Sequence, residues 1–261
     1  MVENKQPVDV TRKGSTAVMT LTDAGRRNVL SSDMVDALSA AFDDVEADAE
    51  VRCVVLGAEG PAFCAGAELQ ALEDAAGGEF SGIEKVYRGF LRVLESRLPT
   101  IAVVDGPAVG AGLNLALACD LRVATEQALF DSRFLRLRLA PGGGHTWMLE
   151  RRVGPEVAAS MVVFGRRLSA IEALDAGLVT SVHEDAEHAM DAALALAGSV
   201  ADTEREFLEA LVRQMRDVPL LGSHEAALDH ERYVQRWSTT NPSFLSGVRA
   251  MRSAIEKSSH R

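Results

Sequence analysis

One short design occurs twice in this chain and constrains its fold: an apolar strand, a turn of glycine and alanine, then a helix start. Its copies are Phe63-Cys64-Ala65-Gly66-Ala67-Glu68 and Val109-Gly110-Ala111-Gly112-Leu113-Asn114. A helix N-terminus leaves backbone N–H groups without intrahelical acceptors and carries partial positive charge. Small residues let a ligand approach that backbone closely. We therefore expect two converging N–H groups that bind a carbonyl oxygen as it gains negative charge.

Each turn taken alone has a plainer explanation. Either could be a strand–helix connection whose small residues only permit close packing. The second turn also has the first two glycines of a dinucleotide-binding fingerprint, Gly110 and Gly112, but Leu115 stands where the third belongs. The repetition of the design favours the oxygen-binding interpretation.

Hydrophobic periodicity predicts an α/β core followed by a helical tail. It indicates strands at 51–56, 101–104 and 120–125, and a helix at 33–47 capped by Ser31 or Ser32. The polar stretch 69–82 is typical of a loop, and the alternation of arginine and leucine over 133–139 predicts a strand-like surface. We place the core at residues 1–195 and a C-terminal helical region at 196–261.

Charge and cysteine content narrow the class of protein. A formal net charge of −11 argues against a nucleic-acid partner and against binding to an anionic membrane surface. No apolar stretch reaches the length of a membrane span, so we expect no membrane insertion. The three cysteines have no paired spacing and are expected to be reduced. These features favour a cytoplasmic protein.

Five segments, in order and at matching distances, resemble the crotonase, or enoyl-CoA hydratase/isomerase, family. The segments are Arg27–Leu30, Phe63–Leu69, Gly106–Val123, the Pro-Gly-Gly-Gly turn at 141–144 and Leu168–Val179. The resemblance implies an α/β fold, a spiral of repeated ββα units with a helical C-terminal trimerisation region. It also implies a homotrimer or dimer of trimers and an acyl-CoA thioester ligand. No cofactor is implied beyond the coenzyme A moiety itself.

The resemblance also implies site residues. The oxyanion-hole donors would be the N–H groups of Ala67 and Ala111, where the family usually has glycine at the second position. Alanine keeps that N–H. The coenzyme A moiety would lie against a set of residues near both turns: Arg27, Val29, Ala65, Gly66, Ala67 and Gly110. Arg27 would either contact a phosphate or be solvated.

The chain departs from the family where acid–base chemistry is expected. Hydratases of the family place two glutamates around one water, and a gap-free alignment puts Asn114 and Phe134 at those positions. An amide cannot take a proton from water, and a phenyl ring can neither take one nor position the water. Because each such group contributes ~10²–10⁴ in rate, little hydratase activity is expected. Isomerases of the family usually need the Phe134 position, so that chemistry is disfavoured too.

Replacement groups and alternative functions stay open. Asp131, His145 or a carboxylate bordering the loop 69–82 could act as acid or base. A turn role for Asp131, simple packing for His145 and a solvated face for the loop carboxylates are the plainer interpretations. The first hypothesis is an enzyme doing isomerisation, hydrolysis or retro-type cleavage on an acyl-CoA. The alternative is a non-catalytic acyl-CoA binding or carrier protein in which Phe134 lines the acyl channel. No metal site is indicated, because His183, His188, His224 and His230 lack partners at ligand spacing.

Overall fold

A computed structural model describes residues 6–258 and contains two sheets. The larger has six strands in the order β1-β2-β3-β4-β6-β9, parallel except for the β1–β2 hairpin. The smaller has the order β5-β7-β8, with β5 and β7 parallel. The strands are β1 (Val8–Lys13), β2 (Thr16–Leu21), β3 (Cys53–Ala58), β4 (Thr100–Val104), β5 (Pro107–Val109), β6 (Leu121–Thr125), β7 (Leu129–Asp131), β8 (Leu168–Ser169) and β9 (Ser181–His183).

Eleven α-helices complete the described part of the chain. They are α1 (Ser32–Ala47), α2 (Leu69–Ala76), α3 (Ser81–Leu94), α4 (Ala111–Ala118), α5 (Phe134–Leu137), α6 (His145–Val162), α7 (Ala170–Asp175), α8 (Ala186–Gly198), α9 (Arg205–Asp217), α10 (His224–Ser238) and α11 (Pro242–Ser258). Within residues 6–258, none of them combines the length and the apolar character needed to cross a membrane.

The central strand β3 shows why its sequence is a continuous apolar run. Val54 and Leu56 face the main core with the helices α1, α3 and α4, whereas Cys53 and Val55 face a second core beneath α8. A strand covered on both faces needs apolar side chains at every position. The buried sheet fixes the positions of the strand ends. It therefore also fixes the positions of the turns that follow those strands.

The site is built on two consecutive strand–strand–helix units. In the first, β4 of the large sheet is followed by β5 of the small sheet and then by α4; in the second, β6 is followed by β7 and α5. Because β5 and β7 are parallel neighbours with Val109 opposite Asp131, the segments that leave them lie side by side. This pairing is consistent with the expected ββα architecture.

The chain divides into two compact units, one ending at Ala201 and one beginning at Asp202. Helix α8 runs across residue 195, the predicted boundary, and contacts β3, β4 and β6 of the first unit. The second unit consists of α9, α10 and α11 with the short 3-10 turn Val218–Leu220.

Two local predictions are wrong and several are confirmed. Helix α2 forms inside the predicted loop 69–82, since its sequence LQALEDAA is rich in helix formers. Within residues 133–139, Phe134–Leu137 form the short helix α5 rather than a strand, flanked by Arg133 and Arg138 in left-handed conformation. Helix α1 is capped by Ser31 through Met34 N, as predicted. Ser169 and Glu172 form a capping box at the start of α7.

Candidate active site

The two small-residue turns touch each other through their backbones. Cys64 N donates to Pro107 O (3.2 Å), and Val109 N donates to Cys64 O (3.0 Å). A Cβ at Gly112 would lie 2.1 Å from Cys64 O, so only glycine allows this contact. A Cβ at Gly66, whose φ is +105°, would lie 2.8 Å from Val109 O and 3.7 Å from Ala111 N. The structure therefore brings both predicted halves of the hole together.

The two predicted donor groups are available to a ligand. Ala111 is the first residue of α4, so its N–H has no intrahelical acceptor. Among the backbone hydrogen bonds of residues 6–258, neither the Ala67 N–H nor the Ala111 N–H is a donor. Both residues are half-buried. An unused backbone N–H on each of two adjoining turns is what an oxyanion hole requires.

The segment predicted to take the coenzyme A moiety lies along the first turn. Ala65 N donates to Arg27 O (3.0 Å), and Leu30 N donates to Gly66 O (2.8 Å). Arg27 is exposed and Val29 is half-buried. These residues form one continuous edge beside the turn, while Gly110 lies in the second turn with a φ of +54°.

Asn28 holds that edge in place, a role that the sequence did not reveal. Its side chain is fully buried and its Nδ2 donates to Glu59 O (2.8 Å) and to Ala62 O (2.9 Å). Its backbone is left-handed, with a φ of +53°, a conformation that asparagine tolerates better than most residues. The signal for this role in the sequence was an asparagine between a turn and a strand-like segment.

His145 lies at the centre of a buried polar chain. Its Nδ1 is 2.6 Å from Asn114 Oδ1, and its Nε2 is 2.9 Å from Ser132 Oγ. Asn114 Nδ2 in turn donates to Gly142 O at 3.3 Å. His145, Asn114 and Ser132 are each exposed by 1% only. The structure thus joins two predicted residues, Asn114 and His145, with one that was missed, Ser132.

The donors and acceptors in this chain are fixed by chemistry. Because Gly142 O can only accept, the Asn114 amide presents its oxygen to His145. Burial lowers the pKa of His145 to about 4, so the ring is neutral at physiological pH. A neutral ring carries one proton, which must lie on Nδ1 to meet the Asn114 oxygen. Nε2 is then an acceptor, and the Ser132 hydroxyl donates to it.

The remaining predicted residues surround this chain. The Phe134 ring is half-buried and lies on the His145 imidazole, with ring centroids 4.9 Å apart. Asp131 is buried, and its carboxylate accepts from Arg133 N (2.8 Å) and Arg133 Nε (3.0 Å). The plainer interpretation of Asp131 as a turn residue is confirmed.

The glycine turn before α6 lets His145 reach the site. A Cβ at Gly142 would lie 2.0 Å from Tyr87 Oη, and a Cβ at Gly143 would lie 2.3 Å from the Phe90 ring. Only glycine permits the turn to pack this closely on α3. The packing sets the start of α6 and hence the position of the His145 ring.

Potential metal ligands lie away from these residues. Among the described residues, the group with suitable spacing is Glu184, Asp185 and His188, all exposed. His188 Nδ1 is 2.8 Å from Asp185 Oδ1, and that hydrogen bond raises the pKa of His188. Asp185 Oδ1 also accepts from His188 N and caps α8, which accounts for the grouping without an ion.

Comparisons with known proteins bear on the family of the chain. Residues 11–250 match the profile of the family described as enoyl-CoA hydratase/isomerase. A probable enoyl-CoA hydratase of Mycobacterium tuberculosis is 42% identical over 250 residues, covering 94% of this chain and 96% of that protein. The mitochondrial methylglutaconyl-CoA hydratase of Homo sapiens is 36% identical over 193 residues, covering 73% of this chain and 56% of that protein.

Solved structures show the same fold. An enoyl-CoA hydratase from Polaromonas sp. JS666 has a TM-score of 0.86 at 30% identity, covering 95% of this chain and 97% of that one. A Geobacillus kaustophilus structure described as an enoyl-CoA hydratase subunit has a TM-score of 0.87 at 27% identity, covering 95% of both chains. With the sequence match spanning most of its length, the chain belongs to the crotonase, or enoyl-CoA hydratase/isomerase, family.

Proposed function

We propose that the chain binds an acyl-CoA thioester, polarises its carbonyl between the N–H groups of Ala67 and Ala111, and does not hydrate it. The observation that carries the proposal is the direct contact between the two turns, which leaves both N–H groups without backbone acceptors. The coenzyme A moiety would lie along the edge formed by Arg27, Val29 and Ala65, with no further cofactor and no metal.

Hydration is disfavoured by the residues at the two positions where the family resemblance implies glutamates. Asn114 holds no proton-accepting carboxylate, and its amide is already engaged with His145 and Gly142. Phe134 is apolar and lies on the His145 ring. His145 therefore contacts both positions between which a water would be activated. A neutral, hydrogen-bonded imidazole takes the place of a carboxylate pair.

The assembly proposed is a homotrimer or a dimer of trimers formed through the second unit. Its helices expose large apolar side chains to solvent in the single chain, among them Met215 (75%), Tyr233 (76%) and Met251 (69%). Exposed apolar side chains on neighbouring helices are typical of surfaces that bind protein. Light scattering of the purified chain is expected to give the mass of three or six copies; a monomer would contradict this proposal.

The proposed cellular setting is the cytoplasm, without nucleic-acid partners. The free cysteines Cys53, Cys64 and Cys119 are buried, and burial raises the pKa of Cys53 and Cys64 to about 12. Such thiols are unreactive and need no oxidising compartment. The net charge of −11 opposes a general nucleic-acid-binding surface.

Binding and turnover of a thioester panel would test the function. Saturated, 2-enoyl and 3-enoyl CoA thioesters of short and medium chain length are titrated by calorimetry, and their products are followed by chromatography. We expect binding of at least one thioester and formation of a product other than the 3-hydroxyacyl-CoA. Rapid hydration of crotonyl-CoA would contradict the chemistry, and failure to bind any thioester would contradict the whole proposal. Binding without any product would favour the carrier alternative.

A further inference from the structure

Ser132 has no part in the proposed function, yet it lies beside the oxyanion turn. Strands β5 and β7 pair in parallel, with Val109 opposite Asp131. Gly110 N donates to Asp131 O (2.8 Å), and Ser132 O lies 3.9 Å from where a Gly110 Cβ would be. The register therefore sets Ser132 next to Gly110, immediately before the Ala111 N–H.

The Ser132 hydroxyl is the end of a directed hydrogen-bond chain. It donates to His145 Nε2 (2.9 Å), and His145 Nδ1 donates to Asn114 Oδ1 (2.6 Å). This is the order of a nucleophile, a general base and the residue that orients the base. The Asn114 amide has the orientation that this order requires, because its Nδ2 is held by Gly142 O.

We propose that Ser132, His145 and Asn114 hydrolyse the bound acyl-CoA thioester, with Ser132 as nucleophile, His145 as general base and Asn114 as its positioning residue. The inference rests on the proposed function, since it needs the thioester carbonyl held by Ala67 and Ala111. It adds an activity to that hole and assigns Ser132 a catalytic role.

The steps balance with water as the only co-reactant. Ser132 Oγ attacks the thioester carbon while its proton passes to His145 Nε2, and the oxyanion forms between the two N–H groups. The C–S bond then breaks, and the leaving thiolate takes the proton from His145, which gives free coenzyme A and an acyl ester on Ser132. Water attacks that ester with His145 again taking the proton. The carboxylic acid leaves, and the proton returns to Ser132 Oγ.

The neutral partner of His145 makes this a slow hydrolase. An asparagine fixes the ring but cannot stabilise the imidazolium cation as a carboxylate does. Burial and the apolar Phe134 ring also disfavour that cation. The change Asn114→Asp is therefore expected to raise the rate of coenzyme A release by about 10²-fold or more, following the known cost of the reverse change. The aspartate oxygen that faces Gly142 O weakens the network in either case, so a gain in rate is expected only if His145 becomes a cation during the reaction.

The decisive experiment compares Ser132→Ala with the matched control Ser160→Ala, in the full chain. Ser160 lies in α6, like His145, and its hydroxyl donates to Val157 O (2.7 Å) outside the site. Thioesters that the protein binds are incubated with each variant, and released thiol is measured. We expect a ~10²–10⁴-fold loss in Ser132→Ala with binding retained, and no loss in Ser160→Ala. Mass spectrometry of the quenched wild type is expected to find the acyl group on the peptide containing Ser132.

The outcomes separate this inference from the function on which it rests. Binding without release of thiol overturns hydrolysis and leaves acyl-CoA binding standing. Release that survives Ser132→Ala overturns the role of Ser132. Absence of binding overturns the proposed function itself. If Ser132→Ala does not fold, the rate of Asn114→Asp decides. A gain in rate supports the inference and no gain overturns it, because an unfolded variant cannot gain activity.

Discussion

Burial of the His145 ring among Asn114, Ser132 and Phe134 lowers its pKa to about 4 and keeps it neutral. The sequence placed His145 after three glycines but left open whether it packs or acts. In the structure the ring packs beside Phe134 and hydrogen-bonds to two polar neighbours, and its acid–base role is the one that we propose. In the reaction that we propose, proton transfer passes through this single buried ring.

The buried histidine predicts how stability depends on pH. In the unfolded chain His145 titrates near pH 6.5, whereas in the folded protein it titrates near 4. As pH falls, the unfolded state binds the proton first, so stability contributed by this group is present above pH 6.5 and is lost between 6.5 and 4. From pH 7 to pH 5 the loss is about 2 kcal/mol.

Urea unfolding of the wild type and of His145→Gln at pH 7 and pH 5 would measure this loss. The other titrating groups are common to both proteins, so the difference between their pH dependences isolates His145. A wild type that loses no more stability than His145→Gln between the two pH values would show that the ring is not buried as a neutral group.

Replacement of Asn28 is expected to lower the stability of the protein, a second effect at the scale of one residue. Asn28→Ala removes the donor to Glu59 O and Ala62 O and leaves a left-handed alanine. We expect a loss of about 2–4 kcal/mol in the free energy of unfolding, from the two lost hydrogen bonds, of which the one to Ala62 O is buried, and from backbone strain. Asn28→Gly also removes the donor but tolerates the backbone, so it is expected to recover about 1 kcal/mol of that loss. Equal stability of both variants would contradict the backbone part of the account.

The part of the site at the helix starts could be predicted from the sequence, whereas the part at the strand ends could not. Ala67 and Ala111 follow from a repeated local pattern, and the structure places their turns in contact as that pattern requires. Ser132 was missed because its partner, His145, lies 13 residues away and meets it only through the register of β7 and the start of α6. Local sequence patterns identify backbone donors. Hydrogen-bonded series of side chains depend on tertiary packing, which no single segment encodes.

The same reasoning explains which elements were misjudged. Helix α5 has only four residues, too few to establish a helical period, so the alternation of leucine and arginine imitated a strand. Helix α2 was hidden by Gly77 and Gly78, which follow it, and by its polar face; Gln70 and Asp74 form an i,i+4 hydrogen bond there (2.8 Å). Long elements with buried faces, such as α1 and β3, were predicted correctly.

The contact between the two turns predicts a strong effect of one methyl group. Gly112→Ala would set a Cβ 2.1 Å from Cys64 O, a backbone atom that cannot turn away. We expect a loss of stability of several kcal/mol, about 3 or more, since the turns must separate. Gly198→Ala is the matched control, because this glycine also lies in a helix but meets nothing within 4 Å.

Denaturant unfolding of both variants would measure the difference. The control is expected to be as stable as the wild type or more stable by about 0.5–1 kcal/mol, because alanine restricts the unfolded chain. A Gly112→Ala protein as stable as Gly198→Ala would show that the two turns are not in contact.

At the scale of the whole molecule, we infer that family membership and reaction diverge. The chain shares its fold and most of its length with proteins named as enoyl-CoA hydratases. Gly112 makes the close contact with Cys64 O on which the proposed carbonyl hole rests. His145 contacts Asn114 and Phe134, the two residues at the positions where the family resemblance implies glutamates. We infer that the scaffold and thioester binding persist while the reaction has changed.

The central claim is that a thioester carbonyl is held by the Ala67 and Ala111 N–H groups, and vibrational spectroscopy tests it most directly. An acyl-CoA labelled with ¹³C at the thioester carbonyl is bound to Ser132→Ala, in which the proposed turnover is blocked. Two hydrogen bonds to the oxygen weaken the C=O bond, so its stretching frequency is expected to fall on binding. Adding Ala111→Pro removes one N–H at a helix position that accepts proline, whereas Ala111→Gly keeps it.

The account predicts a lowered carbonyl frequency in Ser132→Ala and in its Ala111→Gly combination. It predicts a frequency nearer that of the free thioester in the Ala111→Pro combination, with the coenzyme A moiety still bound. A bound carbonyl whose frequency equals that of free thioester in Ser132→Ala, or does not respond to Ala111→Pro, would contradict the account.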